Sequence, residues 1–180
     1  MSIFKNAIKF SFLFALVAFF VTSSQAQDDK AKRKSPPMET TGMVGDAKVT
    51  INYSAPSVKG RTIFGDLEPY GEIWRTGANE ATTFEVSKNV MIEGQELAAG
   101  KYALFTIPNE DSWTIIFNSV FDQWGDYNYD KEKDVLRVDV TPTTLSEPVE
   151  QMTISLNDGT VAIAWSTTQA AFSLAPSASN

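Results

Sequence analysis

An all-β fold, an antiparallel β-sandwich, is what the sequence predicts, with a jelly-roll arrangement of it in second place and helices limited to short caps. Three observations lead there. Apolar and polar residues alternate at period two, as where Val49, Ile51 and Tyr53 face one way and Lys48, Thr50 and Asn52 the other. Turn signals such as Glu93-Gly94, Ala99-Gly100 and Asn157-Asp158-Gly159 cut the chain into short runs. Apolar spacing of three to four residues never persists for three turns, so no long amphipathic helix is expected.

Residues 1–26 read as a secretory signal peptide. Lys5 and Lys9 provide a positive end, a 12-residue apolar run at 10–21 is broken only by Ser11, and Ser24-Gln25-Ala26 fits a cleavage site. That run is shorter than the ~20 apolar residues of a membrane-spanning helix, so no stable membrane span is expected after cleavage, and an uncleaved anchor is the alternative. A periplasmic or secreted location follows. Cleavage leaves 154 residues, about one ordinary domain.

Residues 27–39 carry Asp-Asp-Lys-Ala-Lys-Arg-Lys and two prolines, which predicts a flexible leader, with a basic docking arm as the alternative. The domain is expected over 40–172. The first strand begins at Ala47 and stops before Pro56; a short strand lies between Gly60 and Gly65, a turn at 66–71 and a loop at 73–80. Strands follow at 82–86, 90–92, 95–97, 101–107, 113–117, 135–140, 151–156 and 160–165, with a long polar and aromatic loop at 122–134. Residues 101–107 are apolar on both faces, which predicts a central position. The small polar tail 173–180 is expected to fray.

Two of the 15 basic residues leave with the signal peptide and all 22 acidic ones stay, a net of −9. Such a balance repels phosphate backbones, so nucleic acid is not an expected partner. The chain has neither cysteine nor histidine. Thiol nucleophiles, thiolate or imidazole metal sites and the usual base of a serine triad are thereby excluded.

Three stretches hold candidate site residues. In Trp74-Arg75-Thr76-Gly77-Ala78-Asn79-Glu80, an indole, a guanidinium, an amide and a carboxylate can read a polar or sugar-like ligand. The same residues can instead form an internal network, Arg75 pairing with Glu80 while Trp74 plugs the end of the sandwich. Tyr53, Lys59 and Arg61 near the end of the first strand would add a local positive patch if folded beside Glu80, and a solvated turn is the plainer reading. Asp122, Asp126, Asp130 and Asp134 recur every four residues around Trp124. Their oxygens suit calcium, but the spacing is not that of the twelve-residue calcium loop, so no cofactor is expected and calcium at Asp122, Asp126 and Asp130 is the alternative. For catalysis, Glu80 with an aspartate of the 122–134 loop is the available acid and base pair for a glycoside.

Ser54-Ala-Pro-Ser-Val-Lys-Gly-Arg-Thr-Ile-Phe-Gly65, the run from Tyr70-Gly-Glu-Ile-Trp-Arg through Thr82, Gly100-Lys-Tyr-Ala-Leu-Phe-Thr-Ile-Pro108 and Gln123-Trp-Gly125 together resemble the bacterial family known as domain of unknown function 2911. The likeness spans about 36–165. It implies exported, usually single-domain proteins typical of Bacteroidetes, and gathers Arg61, Trp74, Arg75, Asn79, Glu80 and Trp124 into one cluster. It implies no substrate and no catalytic residue. The expectation is therefore an exported domain that binds a small polar, anionic or sugar-like ligand or an envelope partner, through Tyr53, Arg61, Trp74, Arg75, Asn79, Glu80 and Trp124. A glycan-directed hydrolase and a purely structural envelope component are the alternatives.

Overall fold

The computed structural model describes residues 32–177; the expected signal peptide and residues 27–31 and 178–180 lie outside the described residues. The strands are β1 (Pro37–Val44), β2 (Ala47–Ser54), β3 (Thr83–Val86), β4 (Val90–Ile92), β5 (Gln95–Leu97), β6 (Gly100–Ile107), β7 (Trp113–Asn118), β8 (Asp134–Val140), β9 (Thr143–Asn157) and β10 (Thr160–Pro176). One sheet has the order β1-β2-β3-β6-β7-β8 and the other β5-β4-β10-β9, with every strand pairing antiparallel. The two sheets pack as a sandwich, and a 3-10 turn at Lys131–Lys133 is the helical cap. Among the described residues no helix is long and apolar enough to cross a membrane.

Alternation decides which side chains enter the sandwich. Val49, Ile51 and Tyr53 of β2, Phe84 and Val86 of β3, Tyr102 and Leu104 of β6, and Ile115 and Phe117 of β7 meet Ile154, Val161, Ile163 and Phe172 of the other sheet in one core. β6 lies between β3 and β7, the central position that its two apolar faces predict. Ala103 and Phe105 of β6 and Ile116 of β7 point the opposite way and seed a second, smaller apolar cluster.

The tight hairpins lie where the turn residues predict. Glu93 and Gly94 (φ 47° and 77°) join β4 to β5, and Asp158 and Gly159 (φ 47° and 73°) join β9 to β10. Two positive φ values in succession are the pattern that matches the twist of paired strands.

Three segments differ from expectation. β1 begins at Pro37, inside the segment read as leader, and pairs along its full length with β2. Its core-facing positions include Thr40 and Gly42, so it has no apolar alternation to read. Gly42 is required by packing, because a Cβ there would stand 2.8 Å from Leu156 Cδ2. β10 continues past Trp165 to Pro176, into the segment read as a frayed tail. A bulge at Ser166 (φ 55°) shifts its register and moves the buried positions from Val161, Ile163 and Trp165 to Ala170, Phe172 and Leu174. The inserted residue reverses which parity faces the core, and the period-two signal is lost at that point. Residues 60–65 form turns in place of the expected short strand.

Candidate functional site

The segment 71–82 takes the place of β3 beside the second half of β6. Trp74 N–H donates to Thr106 O at 2.8 Å and Thr106 N–H to Trp74 O at 2.9 Å, while Gly71 N–H reaches Pro108 O and Leu104 N–H reaches Thr82 O. This pairing turns Trp74 into the sandwich. It is 1% exposed, stacks on Trp165 at 5.8 Å and meets Trp113 and Phe64 edge-on. Its indole N–H donates to Gly77 O at 3.1 Å, so the polar end is satisfied within its own loop. Trp74, expected in a ligand site, is a core residue.

Thr76 (φ 54°) and Asn79 (φ 61°) both adopt left-handed backbone, which costs about 1 kcal/mol or more each and holds only because the surroundings fix it. Thr76 is buried, with its hydroxyl on Thr106 Oγ1 at 3.2 Å and its carbonyl accepting from Thr82 Oγ1 at 2.7 Å. A Cβ at Gly77 would sit 3.0 Å from both Ser54 O and Thr82 Oγ1. Most of the tryptophan-to-glutamate run is therefore the machinery of a tight turn. Burying one tryptophan outweighs any single exposed ion pair here, roughly 3–5 kcal/mol against 0–1.

The ion pairs differ from the expected network. Arg75 faces Asp126 at 3.7 Å, and Glu80 Oε2 accepts from Arg33 Nη1 at 2.7 Å. Arg75 Nε is buried and has no hydrogen-bond partner among the described residues. Arg61 turns back on its own loop, donating to Ser57 O at 2.6 Å and Val58 O at 3.0 Å, and Lys59 N–H donates to Glu150 Oε1. Tyr53 is buried, with its hydroxyl accepting from Ile154 N–H at 3.1 Å across the sandwich. The expected cluster is thus spread over four places: the core, an Arg75–Asp126 contact, the surroundings of Glu80, and the 57–61 loop that holds Arg61.

Glu68, which carries no sequence signal beyond its charge, belongs to the second of these. Burial pushes its carboxyl up to about 7, Asp126 adds to the rise, and Arg75 and Arg61 oppose it. Removing a carboxylate from water disfavours its charged form, and neighbouring guanidinium groups offset only part of that.

The loop 119–134 lies over the outer face of the six-stranded sheet. Tyr129 packs edge-on against Phe105 at 5.1 Å, and Ile73 joins Ala81, Ala103 and Ile116 beneath it. The Tyr129 hydroxyl donates to Asp134 Oδ2 at 2.6 Å and accepts from Arg137 Nη2; burial and the Asp134 hydrogen bond push the phenol up to about 12. Asp134 also accepts from Asn118 Nδ2 and Arg137 Nε. Asp130 caps the 3-10 turn through Glu132 N–H, and Asp122 is exposed. The four aspartates therefore serve different partners. Among the described residues no group of three or more His, Cys, Asp or Glu side chains is placed to hold a metal ion.

Beside this loop opens a cleft of about 330 Å³. Its lining includes the paired Arg33 and Glu80, Phe121 and Asp122, and Asn52 and Lys101 from β2 and β6. Lys101 Nζ stands 5.4 Å from the Phe121 ring and 3.7 Å from Glu85. Of the sequence-predicted residues, Tyr53, Glu80 and Asp122 border the cleft; Trp124 does not line it but has its ring 5.6 Å from the guanidinium carbon of the lining residue Arg33. Asn52, Lys101 and Phe121 are no candidate site residues in the sequence, and Arg33 enters there only as part of the basic segment 27–39. The polar outward positions of the first strand were visible there, and only strand pairing aligns Asn52 with β3 and places Lys101 nearby.

No curated protein and no solved structure matches the chain. A family model described as protein of unknown function (DUF2911) matches residues 35–174, a span that takes in all ten strands except the last two residues of β10, and the whole cleft except Arg33. The chain belongs to that family, DUF2911.

Proposed function

We propose that the protein is an exported binding domain whose cleft beside Glu80 takes a small, neutral, sugar-like ligand. The observation that carries this reading is the balance of the lining: the positive Arg33 and Lys101 are matched by the negative Glu80 and Asp122, with the Asn52 amide and the Phe121 ring between them. A lining without net charge does not select a simple anion, whereas paired donors and acceptors beside an aromatic face suit a polyhydroxylated ring. The volume of about 330 Å³ lies at the lower end of small-ligand sites. Export is part of the same proposal and rests on the leader at 1–26.

Titration of the purified protein with glucose, N-acetylglucosamine and cellobiose, followed by calorimetry, tests the reading. Binding of at least one of them, weakened ~10-fold or more (~1.4 kcal/mol) by Asn52→Ala and by Phe121→Ala, is the expected result. No heat from any of the three sinks it. A mass spectrum of the exported protein beginning elsewhere than Gln27 sinks the cleavage site.

A second reading, hydrolysis of a glycan, is favoured by Glu80 and Asp122 bordering one cleft. Cleavage of an oligosaccharide that is abolished by both Glu80→Gln and Asp122→Asn would distinguish it from binding alone.

A further inference from the structure

We propose that Glu80, which borders the cleft, and Trp124, bridged to it, form a guanidinium-recognising site that the chain fills with its own Arg33, and that the site takes an arginine side chain of a peptide when Arg33 is withdrawn. The occupant displays the chemistry of the site. Arg33 Nη1 donates to Glu80 Oε2 at 2.7 Å, and its guanidinium carbon lies 5.6 Å from the centre of the Trp124 ring. A carboxylate for the N–H edge and an indole for the flat face are the two groups that a guanidinium pairs with best. Trp124 is 53% exposed, so the aromatic half of the site faces water, not the core.

Receptor and occupant are held very differently. Glu80 and Trp124 oppose each other in an antiparallel bridge, closed by Ala81 N–H to Gln123 O at 3.1 Å and Gly125 N–H to Asn79 O at 3.0 Å. Those backbone bonds involve neither Arg33 nor its segment, so the backbones that carry the carboxylate and the indole stay opposite each other whether or not the guanidinium is present. Arg33 comes from the chain ahead of β1. That segment is fastened by Asn79 Nδ2 donating to Ser35 O at 3.2 Å and by Ala55 N–H donating to Pro36 O at 2.9 Å. A preorganised receptor with a tethered, part-exposed ligand is the arrangement of an intramolecular competitor, whose tether supplies a high effective concentration. The net charge of −7 for the whole chain favours a basic peptide as the competing partner.

The inference rests on the cleft being a ligand site only insofar as Arg33 lines it, and the test separates the two. Trp74, Trp113 and Trp165 are each 1% exposed, which leaves Trp124 as the solvent-facing one of the four tryptophans and its emission as a reporter. Arg33→Ala is expected to red-shift that emission, and N-acetylargininamide to reverse the shift with an affinity ~10-fold or more above its affinity for wild type. N-acetylcitrullinamide, the uncharged isostere, is expected to bind ~10-fold or more weakly, and Glu80→Gln in the Arg33→Ala background to abolish the response. Arg33→Gln, which keeps chain length without charge, gives the same reading if Arg33→Ala unfolds. A folded Arg33 variant whose Trp124 emission ignores N-acetylargininamide, or answers the citrulline analogue equally, overturns the inference. If wild type in that case still binds one of the three sugars, the inference alone falls; if wild type binds none, the cleft reading falls with it.

Discussion

The two faces of the six-stranded sheet use the same strands for different ends. On the inner face Trp74, Trp113 and Phe64 interlock with Trp165 of the second sheet, ring centres 4.8–6.1 Å apart, and that sheet seals them from water. On the outer face Ala103, Phe105 and Ile116 are covered by one loop, which is held by Tyr129, Asp134 and Arg137 and leaves the cleft open beside it. Sheet against sheet gives a continuous apolar layer, while loop against sheet gives a patch with polar edges. The tryptophan-to-glutamate run is divided at its middle: Trp74 belongs to the sealed face, and Glu80 to the open one.

The strongest way to break this contrast is Trp74→Ala, expected to cost about 3–5 kcal/mol in urea unfolding. A loss below about 1 kcal/mol would mean that the aromatic cluster does not hold the inner face. Next is Glu68→Gln, beside Arg75 and Asp126. Because burial raises the folded-state carboxyl from its ordinary 4.5 to about 7, Glu68 binds its proton more tightly folded than unfolded. Its contribution is most favourable below about 4.5 and is lost as pH rises through about 7. The variant should match wild type at pH 4 and exceed it at pH 8 by about 1–2 kcal/mol, a figure reduced from ~1.4 kcal/mol per pH unit for the water that still screens the group. Equal stability of the two proteins at pH 8 would defeat the assignment.

Smaller again is Tyr129→Phe, which removes the hydroxyl between Asp134 and Arg137 and should cost about 1 kcal/mol. Hydrogen exchange should then quicken in 119–134 and not in β4, β9 or β10; a uniform increase would show that the loop and the sandwich open together. The least effect on stability is expected from Asn52→Ala, within about 0.5 kcal/mol. Since Asn52 faces outward, a large loss there would remove the distinction between cleft and core.

Legibility in the sequence followed the physics of each element. β2 and β6 read correctly because a strand with water or a second apolar cluster on one side and the sandwich on the other prints its burial as a period of two. β1 did not, since its neighbour Leu156 demands glycine at position 42. The end of β10 did not, since the bulge at Ser166 reverses parity. For the site, Glu80, Asp122 and Tyr53 were visible as charged or aromatic residues near turns. The partners were not: five residues of separation say nothing of Arg75 and Glu80 when Thr76 and Asn79 turn the backbone left-handed between them.

By itself, then, the sequence determined an antiparallel sandwich, its tight hairpins, and a chemistry limited to oxygen, amide, ammonium and guanidinium groups. These depend on local alternation, turn residues and composition, all of which are written in order along the chain. Tertiary structure alone decided that Trp74 is core, that Arg33 answers Glu80 across 47 positions, and that Asn52, Lys101 and Phe121 border one cleft. Such contacts are fixed by strand pairing and sheet packing between distant segments, and no local pattern encodes which distant residue will arrive.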